Sequence, residues 1–193
     1  FDWEEISIAS EKVIVSRTGF TNELGWEIYI SPDNDARKIG DLLLEEGTKM
    51  GMLLTASPGF RGRRIEAGLL SAGRDFTKDR NPFSVGLGKF IDFDKGDFIG
   101  RDFLLNADKK CLTWGMRVEN SFALVDSDIV LDGKKIGIVT SSTWSPYQVC
   151  GVSIVHLNDP NFGPGTIVDV LCDNGQNNKG EICKLPMYDV DGD

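Results

Sequence analysis

The stretch Ser16-Arg17-Thr18-Gly19-Phe20-Thr21-Asn22-Glu23-Leu24-Gly25-Trp26-Glu27-Ile28-Tyr29 holds the residue types best suited to gripping a flat, nitrogen-rich ring. The alternation of an extended segment places Glu27 and Tyr29 on one face, opposite Trp26 and Ile28. A carboxylate accepts paired ring N–H and amino donors, and an aromatic such as Phe20, carried on a glycine-bounded loop, covers the ring face. The same pattern fits a plain hairpin with a solvated Glu27 and a half-buried Tyr29. The residues alone favour that plainer reading.

A second candidate is the basic stretch 58–80. It sets Arg61, Arg63, Arg64, Arg74, Lys78 and Arg80 against Glu66, Asp75 and Asp79, a local +3 in a chain of net charge −9. Such a stretch is suited to an anionic ligand tail. Structural ion pairs of Arg64 and Glu66 at a domain junction account for it equally well.

Other chemistries are poorly supplied. His156 is the one histidine, in a strand-like run over 152–157, which points to a structural role rather than a triad. Cys111, Cys150, Cys172 and Cys183 form no C-x-x-C pair and no zinc spacing, and read as free thiols in a reducing compartment, hence cytoplasmic. The Ser-rich run 137–146 lacks G-x-S-x-G, and its Trp144 beside Pro146 suggests a packing corner. Gly86-Leu87-Gly88 and Gly163-Pro164-Gly165 match no phosphate loop, and Asp92, Asp94 and Asp97 are out of register for a calcium loop, so no metal is expected. The acidic balance argues against nucleic acid, and no apolar run approaches the roughly 20 residues that cross a bilayer.

These candidates need elements to hold them. Strands are expected over 12–17 and 26–30, and helices over about 35–47 (stopped by Gly47), 61–70 and 100–106. Beyond Cys111 helical periodicity disappears, and short strands recur at 113–118, 129–131, 134–140, 152–157, 166–171 and 181–185. Asp132-Gly133 is the strongest hairpin signal. The fold class is therefore α+β, an α/β region followed by a small antiparallel β-barrel. Charge divides similarly: 16 basic and 19 acidic groups over 1–110, against 5 and 11 over 111–193. A boundary is expected near 110. Residue 1 is Phe, with neither a signal-peptide pattern nor an initiator Met, so the chain is expected to begin inside a longer protein.

Taken in order, four segments resemble the glycine-cleavage T-protein family of folate-dependent aminomethyltransferases: S-R-T-G-F-T-N-E-L-G-W-E-I-Y at 16–29, R-I-E-A-G-L-L-S-A-G-R-D at 64–75, F-I-G-R-D at 98–102 and I-G-I-V-T-S-S-T-W-S-P at 136–146. The closing L-P-M-Y at 185–188 is similar to the family's Pro-Phe-Tyr ending.

The resemblance implies that 1–110 is the C-terminal part of the folate-binding domain and 111–193 the barrel. It implies tetrahydrofolate as cofactor, held by Glu27 at the pterin ring, with Phe20 packing on it, Tyr29 approaching substrate or cofactor, and Arg61 next in register to the family's arginine. It also implies a small amine or sulfonium substrate, a lipoyl carrier protein as partner, and a catalytic aspartate in an N-terminal half that these residues lack, which would leave this chain inactive alone. Asn22 stands where the family usually has Gly, and Tyr29 is similar to the related dimethylsulfoniopropionate demethylases. Asp97 replaces the Cys of the branch that regulates tRNA modification. A non-catalytic folate-binding module and the folate domain of a flavin-dependent sarcosine or dimethylglycine dehydrogenase are the alternatives.

Overall fold

The computed structural model describes residues 2–188, apart from the side chains of Ser57 and Pro58. The chain divides into two compact units, Phe1–Phe60 and Arg61–Asp193. The compositional boundary near 110 falls inside the second unit, just before the barrel begins.

The first unit holds a three-stranded antiparallel sheet, β1 (Trp3–Ile8), β2 (Glu11–Ser16) and β3 (Glu27–Tyr29), and the helix α1 (Ala36–Lys49). The sequence reading does not contain β1. Its hairpin with β2 turns on Ala9 and Ser10, both at positive φ (53° and 67°), without the Asn-Gly or Asp-Gly that announces such a turn. Asp35 caps α1 by accepting from the Lys38 N–H at 3.1 Å. Gly47 does not stop the helix as expected. It is helical, and a Cβ there would meet the Met52 side chain at 2.5 Å. The left-handed residue is Gly51, at φ 87°. Among the described residues of this unit only Val13 and Ile39 are buried apolar side chains, while Trp3, Ile14, Trp26 and Tyr29 stand exposed.

Helix α2 (Ser57–Glu66) leads into the second unit. It starts earlier and ends earlier than expected, because Gly68 at φ 70° closes it. Gly68 N–H donates to Ile65 O (3.0 Å) and Leu69 N–H to Arg64 O (2.8 Å), the paired bonds of a glycine-terminated helix end. The short helix α3 (Arg101–Asn106) follows as expected.

Six antiparallel strands then close a barrel: β4 (Thr113–Val118), β5 (Asp128–Leu131), β6 (Lys134–Ser145), β7 (Cys150–Leu157), β8 (Ile167–Leu171) and β9 (Asn177–Cys183), in the order β4-β7-β6-β5-β8-β9. Closure removes free strand edges. Asp132 and Gly133 are both at positive φ and form the β5–β6 turn, as expected. Met116, Ile129, Val139, Val155, Leu157, Val168 and Ile182 are inaccessible to solvent and fill the interior. At Gly151 a Cβ would meet Ser121 O at 2.2 Å, so only glycine lets β7 pass that backbone. The α+β class and the antiparallel barrel are those read from the sequence.

Candidate functional site

In the first unit, the register of β2 and β3 pairs Ser16 with Glu27 and Ile14 with Tyr29. Paired residues of an antiparallel ladder share a face, so Glu27 and Tyr29 project together, as alternation predicts. The Tyr29 hydroxyl donates to Glu27 Oε2 at 3.3 Å, and the Thr18 hydroxyl donates to the same oxygen. Among the described residues no cation pairs with Glu27, and its Oε1 has no partner. A half-buried carboxylate with one oxygen held and the other open is an acceptor for a ligand's N–H groups.

The connecting loop is clasped at its neck. Arg17 Nη1 donates to Gly25 O at 2.6 Å, and the guanidinium lies 5.3 Å from the Trp26 ring centroid. Arg17, Thr18, Gly19, Asn22, Glu23 and Leu24 line a pocket of about 340 Å³. Asn22 sits at φ 59°, in the left-handed region that asparagine and glycine tolerate best. Phe20 is half exposed on this loop and Tyr29 half exposed at its exit. Thr18 and Arg17 escaped the sequence reading as site residues. Their importance depends on the strand register and on the Gly25 carbonyl, neither of which a motif prints.

Arg61, the fourth residue expected at the site, is exposed on α2 at the start of the second unit. Its neighbours there show which arginines are available to a ligand. Arg64 is buried: its Nη1 donates to Asp75 Oδ2 at 2.6 Å and to Leu69 O at 3.2 Å, and its Nη2 donates to Ser141 Oγ at 2.7 Å. Asp75 also accepts from Ser71 N–H (2.8 Å), Thr140 Oγ1 (2.6 Å) and Ser141 Oγ (2.7 Å). Arg63 pairs with buried Glu66 at 2.5 Å, and Ser145 donates to the same carboxylate. The motifs at 64–75 and 136–146 are thus two sides of one buried polar cluster. The structural ion-pair reading holds for Arg64 and Glu66, and Arg64 is not free for an anionic tail. The closing L-P-M-Y docks here too, with Met187 N–H donating to Glu66 O at 2.7 Å and Arg117 donating to Met187 O.

The remaining nucleophile and base candidates are structural. Burial pushes all four thiols upward, Cys183 to about 11, so none is a thiolate at neutral pH. His156 Nδ1 lies 3.0 Å from Thr113 Oγ1. Burial, reinforced by the Arg80 charge, lowers its pKa from 6.5 to about 4. The unfolded chain then takes up this proton before the folded one does. Stability present above pH 6.5 is expected to fall between 6.5 and 4, by about 1–2 kcal/mol after discounting for partial exposure. Urea midpoints at pH 7 and pH 4.5 check this, and His156→Gln should flatten that part of the curve.

Two family models match the chain in succession. Residues 1–95 match a family model described as the GCVT N-terminal domain, and 113–189 one described as the glycine cleavage T-protein C-terminal barrel domain. An aminomethyltransferase of Halothermothrix orenii is 32% identical over 191 residues, covering 94% of this chain and 51% of the relative. One from Caldanaerobacter subterraneus is 34% identical over 176 residues, covering 89% and 46%. The crystal structure of glycine cleavage system aminomethyltransferase T from Bartonella henselae superposes with a TM-score of 0.77 at 23% identity, over 91% of this chain and 50% of that one. The chain spans about half the length of the curated relatives it matches.

Proposed function

The chain belongs to the glycine cleavage T-protein family, and from that premise we propose that it serves a tetrahydrofolate-dependent transferase that moves a one-carbon unit from a small amine or sulfonium donor to folate. Residues 1–110 contribute to the folate-binding region and 111–193 form the barrel. When bound, tetrahydrofolate supplies the nitrogen that accepts the one-carbon unit. This chain's residues bind and orient it. Glu27 accepts N–H groups of the pterin edge through its open oxygen, Phe20 packs on the ring, and Tyr29, anchored to Glu27, borders the donor. Arg61, exposed on α2 and outside the buried cluster, is the arginine we assign to the anionic tail.

The observation that carries this reading is Glu27 itself. It is a carboxylate anchored by hydroxyls rather than neutralised by a cation, beside exposed aromatic surface. That donor and acceptor set fits a planar aminopyrimidinone edge. With no thiolate or histidine base available, rate enhancement would come from positioning and electrostatics.

The reaction is tested by giving the full-length protein tetrahydrofolate with either an aminomethyl-loaded lipoyl carrier or a sulfonium donor. Loaded folate should form with one donor class. Failure with both, while folate still binds, would leave a folate-binding module in place of a transferase.

A further inference from the structure

We propose that Thr18 is a positioning residue for Glu27, its hydroxyl fixing the plane in which the carboxylate meets the ligand. The inference rests on the reading of Glu27 as the group that holds the pterin edge. Thr18 follows β2 by two residues, and the Ser16–Glu27 pairing brings the neck of the loop over the Glu27 carboxylate. Thr18 Oγ1 donates to Glu27 Oε2, and Ser16 Oγ lies 3.2 Å from Thr18 Oγ1. A hydroxyl has one proton. With that of Thr18 committed to the carboxylate, the Ser16 hydroxyl is the one that donates along the chain, giving a relay Ser16 to Thr18 to Glu27.

The consequence is geometric. The last torsion of a glutamate is broad and roughly two-fold, so an unheld carboxylate rotates freely about its own axis. Two hydroxyls on Oε2, from Thr18 and Tyr29, restrain the plane and leave Oε1 to the ligand. A ligand presenting two coplanar N–H donors needs that plane aligned with its own. The arrangement also leaves the negative charge available, because hydroxyls orient a carboxylate without cancelling it. A lysine or arginine in place of Thr18 would compete with the ligand. Thr18 is itself held in place by the neighbouring clasp, in which Arg17 grips the Gly25 carbonyl.

The experiment is a fluorescence titration of full-length protein with tetrahydrofolate, comparing the unmodified chain with Thr18→Val, Thr18→Ser, Thr18→Ala and Glu27→Ala. Valine keeps the shape of threonine and loses the hydroxyl, whereas serine keeps the hydroxyl and loses the methyl. Thr18→Val and Thr18→Ala are expected to weaken binding about tenfold, the effect of one hydrogen bond to a charged group. Thr18→Ser should stay within about threefold of the unmodified chain. Urea unfolding midpoints should be unchanged throughout. Weak binding by Thr18→Ser with normal binding by Thr18→Val would make the role one of shape and overturn the proposal. Normal binding by Thr18→Val with a large loss in Glu27→Ala would overturn it alone. Normal binding by Glu27→Ala would overturn it together with the site reading beneath it.

Discussion

Asp75→Ala is expected to remove about 3–5 kcal/mol from the stability of the second unit, the usual cost of stripping one partner from a buried ion pair. Asp75 is inaccessible to solvent and accepts four hydrogen bonds, two on each oxygen. The substitution would leave the Arg64 guanidinium buried with Ser141 Oγ and Leu69 O, neither of which carries charge. It would also strip the Ser71 N–H and the Ser141 hydroxyl of their acceptor, and leave the Thr140 hydroxyl with Ile154 O alone. Domains of this size are stable by about 5–15 kcal/mol, so the loss is a large fraction of the total and should lower the urea midpoint clearly. Urea unfolding followed by tryptophan fluorescence measures it. Glu66→Ala should cost less, because Arg63 is partly exposed and can turn toward solvent and the Tyr147 ring 4.9 Å away. Equal losses in the two variants would mean that burial of the guanidinium is not what sets the cost.

Glu27→Ala is expected to act on binding rather than on folding. Glu27 is half-buried, and its partners are two hydroxyls that water can serve in its absence. Stability should change by less than about 0.5 kcal/mol. Charge-assisted hydrogen bonds contribute about 1.5–3 kcal/mol each, so losing the pterin anchor should weaken tetrahydrofolate binding roughly 10- to 100-fold. Glu27→Gln is the sharper variant. It keeps the size and an acceptor oxygen for the ligand and removes the charge, and should bind more weakly than the unmodified protein but better than alanine.

The barrel was legible because its signals are local. Asp132-Gly133 specifies a turn by its dihedral needs alone, and the strands expected over 113–118 and 152–157 appear as β4 and β7. The strand β1 was not legible, since Ala9 and Ser10 adopt positive φ without a residue type that advertises it. Nor was the extension of β6 through Ser141–Ser145. The expected strand stops at 140, because hydroxyl residues in a row do not announce a buried strand until Asp75, Glu66 and Ser153 are seen to satisfy them. The same limit governs the site. Glu27 and Tyr29 follow from the period of a strand, whereas Thr18 depends on the β2–β3 register. Which of the arginines at 61–64 is buried in an ion pair depends on Asp75, 11 residues beyond Arg64, and on Ser141, 77 residues beyond it.

The central claim is that Glu27 anchors tetrahydrofolate. Calorimetric titration of tetrahydrofolate into the full-length protein and its Glu27→Ala variant tests it directly. The account predicts saturable binding by the unmodified protein and at least a tenfold weaker constant in the variant. Equal affinities in the two, or no binding to the unmodified protein, would contradict it.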